Sequence, residues 1–382
     1  MKYWIRLHSP GWISKSTGSR LRVDREKRMK MKTVFYWGFT VLVVVASLHV
    51  RGAERPNIVI LATGGTIAGS AETQTQAGYT SGQVGVDVLI GAVPQLTELA
   101  AISGEQVANV GSQDMNDAIW LQVAERVNTL LASPKVDGIV ITHGTDTLEE
   151  TAYFLNLVVK SDKPVVMTAA MRPSTAMSAD GPLNIYNAVA AAADPAAAGR
   201  GVLVVANDDI HGARSFTKTS TTDVQTFRSI EYGLVGVSLY GENRWFRTPF
   251  RKHTKNSEFS VKGLDSLPRV DVIYITADVS ADLIEAAVKN GARGIVTAGV
   301  GNGNMTGPAL AAVKAAAAKG VVVVRASRVT SGAVGRNVEV NDDENGTVAS
   351  SELNPARARI LLKLALLETS DPKRIQQYFY DY

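Results

Sequence analysis

The residues of this chain best suited to chemistry are hydroxyls and charges set just past apolar runs. His143-Gly144-Thr145-Asp146-Thr147 follows the run 138–142, so a carboxylate and two hydroxyls fall together beyond a strand end, where α/β folds place their ligands. A second case follows the run that ends in Thr63. There Gly64-Gly65-Thr66-Ile67-Ala68-Gly69 sets the Thr66 hydroxyl beyond the strand, and the two glycines before it allow a tight turn and close approach of a ligand. Lys218, in Ser215-Phe-Thr-Lys-Thr-Ser-Thr221, supplies a proton acceptor once its amine is desolvated.

These types suit nucleophilic attack by a hydroxyl. An aliphatic hydroxyl titrates far above neutral pH, so a threonine nucleophile needs a base beside it and donors for the oxyanion. Thr145, Lys218 and Asp146 suit such a relay, with Asp146 keeping Lys218 oriented. Tyr79 adds a hydroxyl in a Gly/Ser/Thr-rich loop, 73–85, able to close over a substrate. A dinucleotide loop does not fit the glycines at 64 and 65, because the G-x-G-x-x-G spacing is missing.

The elements that position these groups are apolar, β-branched runs at 57–62, 138–142, 165–168, 201–206, 270–276, 294–297 and 321–325. Helical patterns lie between them at 116–131, 148–159, 181–193, 281–290 and 308–319. Such alternation predicts an α/β fold of mostly parallel sheets covered by helices. The pattern stops between Gly241 and Pro268, where Pro249 and Pro268 act as breakers, and this reads as an interdomain linker. The expected division is a larger N-terminal domain at 54–246, a linker at 247–268 and a smaller C-terminal domain at 269–382. Asn354 is placed to cap the last predicted helix, with Pro355 in its first turn.

The 382 residues are 45% apolar and 20% charged, a globular composition. The net charge of +4 misleads, because residues 1–53 hold 11 of the 40 Lys/Arg and only Asp24 and Glu26 among the acids. The remainder keeps 29 basic and 34 acidic residues, a balance of about −5, so no nucleic-acid surface is implied. Residues 29–53 read as a signal peptide: Lys30 and Lys32, then an apolar core at 34–50, then Arg51-Gly-Ala53. The uninterrupted apolar run is short for a membrane span, so no membrane association is expected after cleavage. Residues 1–28 fit neither the signal nor a domain, and translation is expected to start at Met29 or Met31. There is no cysteine, which excludes thiol catalysis and thiolate metal sites; no metal and no cofactor are expected.

The chain resembles the bacterial-type L-asparaginases of the exported, high-affinity kind. The resemblance is carried by Ala62-Thr-Gly-Gly-Thr-Ile-Ala68, Gly111-Ser-Gln-Asp-Met-Asn116, Gly138-Ile-Val-Ile-Thr-His-Gly-Thr-Asp-Thr147, Met171-Arg-Pro-Ser174, Ser178-Ala-Asp-Gly181 and Gly299-Val-Gly-Asn-Gly-Asn304, and it covers residues 55–382. It implies hydrolysis of L-asparagine to L-aspartate and ammonia through a threonine acyl-enzyme. In that likeness Thr66 matches the nucleophile, Tyr79 the mobile-loop tyrosine, and Thr145, Asp146 and Lys218 the second catalytic set. Ser112, Gln113 and Asp146 match residues gripping the substrate's carboxylate and amino group. Asn304 and Glu339 match residues reaching the site from a neighbouring subunit, which implies intimate dimers with shared active sites within a homotetramer. Exported relatives of this kind are periplasmic. Which threonine attacks first stays open.

The physical logic of a small zwitterion agrees, since its carboxylate needs hydroxyl and backbone donors and its ammonium needs an acid, which Ser112 and Asp146 supply. Two departures stand out: the disulfide of some exported relatives cannot form, and His211-Gly-Ala-Arg-Ser-Phe216 differs from the common sequence before the lysine. One methylene changes binding by only roughly 1–3 kcal/mol, so a dual glutaminase-asparaginase is the alternative. Gln113 and Asn304 resemble asparagine-preferring members, and weak glutaminase activity is expected. A tRNA-linked amidotransferase subunit would lack the export signal, and a periplasmic amino-acid-binding protein would need no Thr-Lys-Asp relay.

Overall fold

The computed structural model describes residues 55–75 and 80–382; the expected signal at 29–53, the extension before it and Tyr79 lie outside them. The larger sheet begins with β1 (Asn57–Gly64), β2 (Ala101–Val110), β3 (Gly138–Thr142), β4 (Val165–Thr168) and β5 (Val202–Ala206). It continues through β6 (Asp209–Gly212), and after the small hairpin of β7 (Thr217–Lys218) and β8 (Phe227–Arg228) it ends with β9 (Gly236–Leu239) and β10 (Glu242–Trp245). Across the sheet the order is β2-β1-β3-β4-β5-β6-β9-β10. The five strands from β2 to β5 are parallel, and the rest are added antiparallel.

Every residue of β3, β4 and β5 is buried, as expected for parallel strands covered on both faces. Alternation along β1 sorts its side chains. Val59 and Leu61 pack with the helices Asp117–Ala132 and Leu148–Val158; Ile58, Ile60 and Ala62 pack with Gly181–Ala193. The chain leaves β1 for the edge at β2 and returns on the other side at β3. This makes β1/β3 the switch point of a 2-1-3-4-5 sheet, outside whose carboxyl ends a ligand crevice opens.

The smaller sheet is fully parallel, in the order β11 (Val270–Tyr274), β12 (Gly294–Gly299), β13 (Val322–Ser327) and β14 (Thr347–Ala349). Helices Asp282–Lys289 and Gly307–Ala318 bury one face. Helix Pro355–Glu368 packs on the other and also against Leu148–Val158. Asn354 caps that helix by accepting the Arg357 N–H at 3.0 Å, with Pro355 at the first position.

Three features add to the sequence expectation. The edge strand β2 carries no strand signal, because its sequence, Ala-Ile-Ser-Gly-Glu-Gln-Val-Ala-Asn-Val, is half-exposed and polar, without a continuous apolar run. Segment 247–268 is packed along its length: Phe259, Val261 and Leu267 are buried, and Phe259 meets Tyr378 edge-on and Tyr382 at a tilt. The two sheets also share one continuous apolar cluster, from Val59 to Leu361 and Phe379. Ion pairs sew the same seam: Arg357–Glu149 at 3.1 Å and Lys363–Asp117 at 2.8 Å. Among the described residues, no helix is long and apolar enough to cross a membrane.

Candidate active site

Strand register brings the two hydroxyl loops together. Ala62 of β1 is level with Thr142 of β3, and Thr142 with Thr168 of β4, so these strands end along one line. Thr63 Oγ1 donates to Thr142 O at 2.9 Å across that line. Past it the chain turns through Gly64 and Gly65, both at positive φ (107° and 82°). The Gly65 backbone then lies directly on that of Gly144: a Cβ there would come within 2.3 Å of Gly144 N, and one on Gly64 within 2.4 Å of Val110 O. No residue with a side chain fits either place. The contact brings the short turn Thr66–Ala68 beside the Thr145 loop, with both threonines buried at 5% exposure.

Lys218 arrives from the β7–β8 hairpin. Its ammonium donates to Thr145 Oγ1 at 2.9 Å and to Asp146 Oδ1 at 2.6 Å. The Lys218 side chain is 20% exposed and that of Asp146 58%, so the carboxylate faces outward while the lysine is largely withdrawn from water. Ser112 is buried in the turn after β2. Its Oγ accepts the Asp146 N–H at 3.2 Å, and its carbonyl accepts the Thr147 hydroxyl at 2.7 Å. Ser112 therefore keeps its own hydroxyl proton to offer.

Below this layer His143 is fully buried. Its Nδ1 lies 2.8 Å from Gly144 O and its Nε2 3.0 Å from Thr151 Oγ1, and Trp120 Nε1–H donates to the same hydroxyl at 2.9 Å. A carbonyl only accepts, so Nδ1 carries the proton, while Nε2 accepts from Thr151. Burial pushes the imidazole down to about 4, against a smaller upward pull from the Gly144 bond. It is a neutral strut under the Thr145 loop. Sequence pattern alone gives neither it nor Thr147 a role, although both lie in the motif. The available signal was a polar residue at the end of a run buried on both faces.

The other expected residues fall differently. Gln113 is exposed, and its Nε2 donates to Asp114 at 3.3 Å. Asn304 and Glu339 lie on two loops of the smaller lobe and hydrogen-bond each other. In this single chain that pair joins neither Thr145, Asp146 nor Lys218 among the described residues. Nor does any group of three His, Cys, Asp or Glu there stand ready to hold a metal ion.

The arrangement defines a class: an α/β protein with two buried threonines and a lysine gathered at the switch-point crevice. The family description "Asparaginase, N-terminal" matches residues 57–251, and "Glutaminase/Asparaginase C-terminal domain" matches 269–379. The chain is 55% identical over 327 residues to L-asparaginase 2 of Escherichia coli, covering 86% of this chain and 93% of that one. It is 53% identical to the probable periplasmic L-asparaginase of Haemophilus influenzae, covering 87% and 95%. A glutaminase-asparaginase of Pseudomonas fluorescens is 46% identical, covering 85% and 90%. The crystal structure of a probable cytoplasmic L-asparaginase from Campylobacter jejuni superposes with a TM-score of 0.84 at 47% identity, covering 86% of this chain and all of that one. The chain belongs to the asparaginase family.

Proposed function

We propose that this asparaginase hydrolyses L-asparagine to L-aspartate and ammonia through a threonine-bound acyl intermediate. The observation that carries the reading is Lys218 Nζ held between Thr145 Oγ1 and Asp146 Oδ1, on the strand-end edge that also bears Thr66. In it, the substrate's carboxylate takes the free hydroxyl proton of Ser112 and its ammonium takes the outward carboxylate of Asp146, with Gln113 closing on the same groups. The ammonium then shares the charge that holds Lys218, which frees the lysine to move protons at Thr145.

Thr66 Oγ bonds to the side-chain carbonyl carbon, its proton passes to a neighbouring base, and the C–N bond breaks as nitrogen leaves with a proton as ammonia. Water activated at Thr145 then adds to the ester carbon, the bond between that carbon and Thr66 Oγ breaks, and the water's proton returns to Thr66 Oγ as aspartate is released. Tyr79 is assigned to the loop that covers Thr66. Ammonia release by the processed protein, beside a Thr66→Ala control, tests the reading; a fully active control would end the assignment of Thr66.

Weak glutaminase activity accompanies the main reaction. Relatives named L-asparaginase at 53–55% identity, against 46% for the Pseudomonas fluorescens glutaminase-asparaginase, favour asparagine. Equal kcat/KM for the two amides would instead make the enzyme dual. Asn304 and Glu339 are read as completing the crevice of a neighbouring subunit, in intimate dimers within a homotetramer; sedimentation as a monomer at full activity contradicts this. The segment at 29–53 and the name of the Haemophilus influenzae relative support a periplasmic location, which N-terminal sequencing of the periplasmic fraction checks.

A further inference from the structure

Arg325 is a charge in the middle of a buried apolar strand, β13, and both it and its partner Asp342 have fully buried side chains. Its Nε–H and an Nη2–H donate to the two oxygens of Asp342 at 2.7 and 2.8 Å. The remaining N–H groups go to main-chain carbonyls: Nη1 to Asn302 at 3.1 Å and Gly303 at 3.4 Å, and Nη2 to Gly335 at 3.2 Å. Asp342 also accepts the Thr347 hydroxyl at 2.6 Å and the Asn337 N–H at 2.9 Å. Asn302 Oδ1 accepts the Gly335 N–H at 2.8 Å, which joins the same two loops a second time. Gly303, at φ 73°, has no room for a side chain, since a Cβ would come within 2.9 Å of Val334 and 3.2 Å of Arg325 Nη1.

One guanidinium therefore ties loop 300–304, which carries Asn304, to segment 335–342, which carries Glu339. A buried ion pair is a poor way to gain stability, because taking both charges out of water costs about as much as their attraction returns. What this one adds is geometry: a planar fork with each of its five donors committed fixes two irregular loops in one register. Asn304 and Glu339, hydrogen-bonded to each other, are the outward end of that register.

We propose that Arg325, with Asp342, is a positioning residue for substrate binding: it presents Asn304 and Glu339 as one rigid pair to the substrate's ammonium end in the neighbouring subunit. The inference rests on the reading that those two residues complete that site. Three proteins are compared with the processed enzyme: Arg325→Met/Asp342→Leu, Arg325→Lys, and Asn304→Ala/Glu339→Ala. KM and kcat for asparagine, the active fraction and Tm are measured for each. The Met/Leu and Lys variants are expected to raise KM about tenfold while kcat per active site changes less than about threefold. A merely structural pair lowers Tm and the active fraction without moving KM. An unchanged KM in a folded Arg325 variant, beside a raised KM in Asn304→Ala/Glu339→Ala, overturns the role of Arg325 alone. An unchanged KM in Asn304→Ala/Glu339→Ala overturns the reading of that pair and the proposal with it. If Met/Leu does not fold, Arg325→Lys decides by the same measure.

Discussion

Lys218 and Thr145, 73 residues apart in the chain, are joined by a hydrogen bond of 2.9 Å in which the ammonium donates to the hydroxyl. This bond sets Lys218 against the hydroxyl it serves in the proposed relay. In the proposed mechanism, replacing Lys218 with Met removes the base and leaves the aliphatic stem. The expected loss is about 10²- to 10⁴-fold in kcat with little change in KM, read from steady-state ammonia release. A loss confined to KM would make Lys218 a binding group instead.

Thr66 and Thr145 sit on loops pressed together at Gly65 and Gly144. If they act in one sequence of steps, their removal does not add: the double variant Thr66→Ala/Thr145→Ala should be about as slow as the slower single variant. Quenched turnover followed by peptide mass spectrometry should place the aspartyl ester on Thr66 in the Thr145→Ala protein. An ester found on Thr145 in the parent enzyme would reverse the order of the two residues.

Thr147 anchors the Ser112 turn through a 2.7 Å bond to the Ser112 carbonyl. Thr147→Val keeps the shape and deletes the donor. The expected cost is roughly 1 kcal/mol of stability and a several-fold rise in KM, because Ser112 loses its fixed place relative to Asp146. Unaltered KM in a destabilised protein would limit Thr147 to holding the fold.

His143 predicts how stability responds to acid. Burial lowers the folded imidazole to about 4 from the ordinary 6.5, so the unfolded chain takes up a proton first as the pH falls. Its contribution is full above about pH 6.5 and erodes down to about 4, by an amount on the order of 3 kcal/mol. His211, lowered to about 4 by burial and then by Arg228, adds in the same window. Tm measured from pH 7.5 to 4 should fall for the parent and fall less for His143→Gln. Parallel curves would assign the acid response elsewhere.

Much of the site was legible because a parallel strand and the loop after it are neighbours in sequence. The runs ending at Thr63 and Thr142 are buried on both faces, so they read as strands, and the hydroxyls after them could only lie at a strand end. Two glycines before Thr66 pointed to a turn too tight for side chains. What sequence could not supply were the pairings that depend on distance along the chain. The edge strand β2 is polar and half-exposed, so its place beside β1, which carries Ser112 to the crevice, is decided by sheet register alone.

The chain by itself therefore determined the alternating α/β elements, the strand-end threonines and the lysine suited to serve them, since each follows from local pattern and chemistry. Only the tertiary structure decided that the two sheets share one apolar cluster and that Lys218 bridges Thr145 and Asp146. It also decided that His143 is a neutral strut and that Arg325 locks the loops of Asn304 and Glu339. Those features depend on which backbone carbonyls and side chains end up sharing a buried volume, and a charge in an apolar strand does not say where its partner lies until the chain is folded.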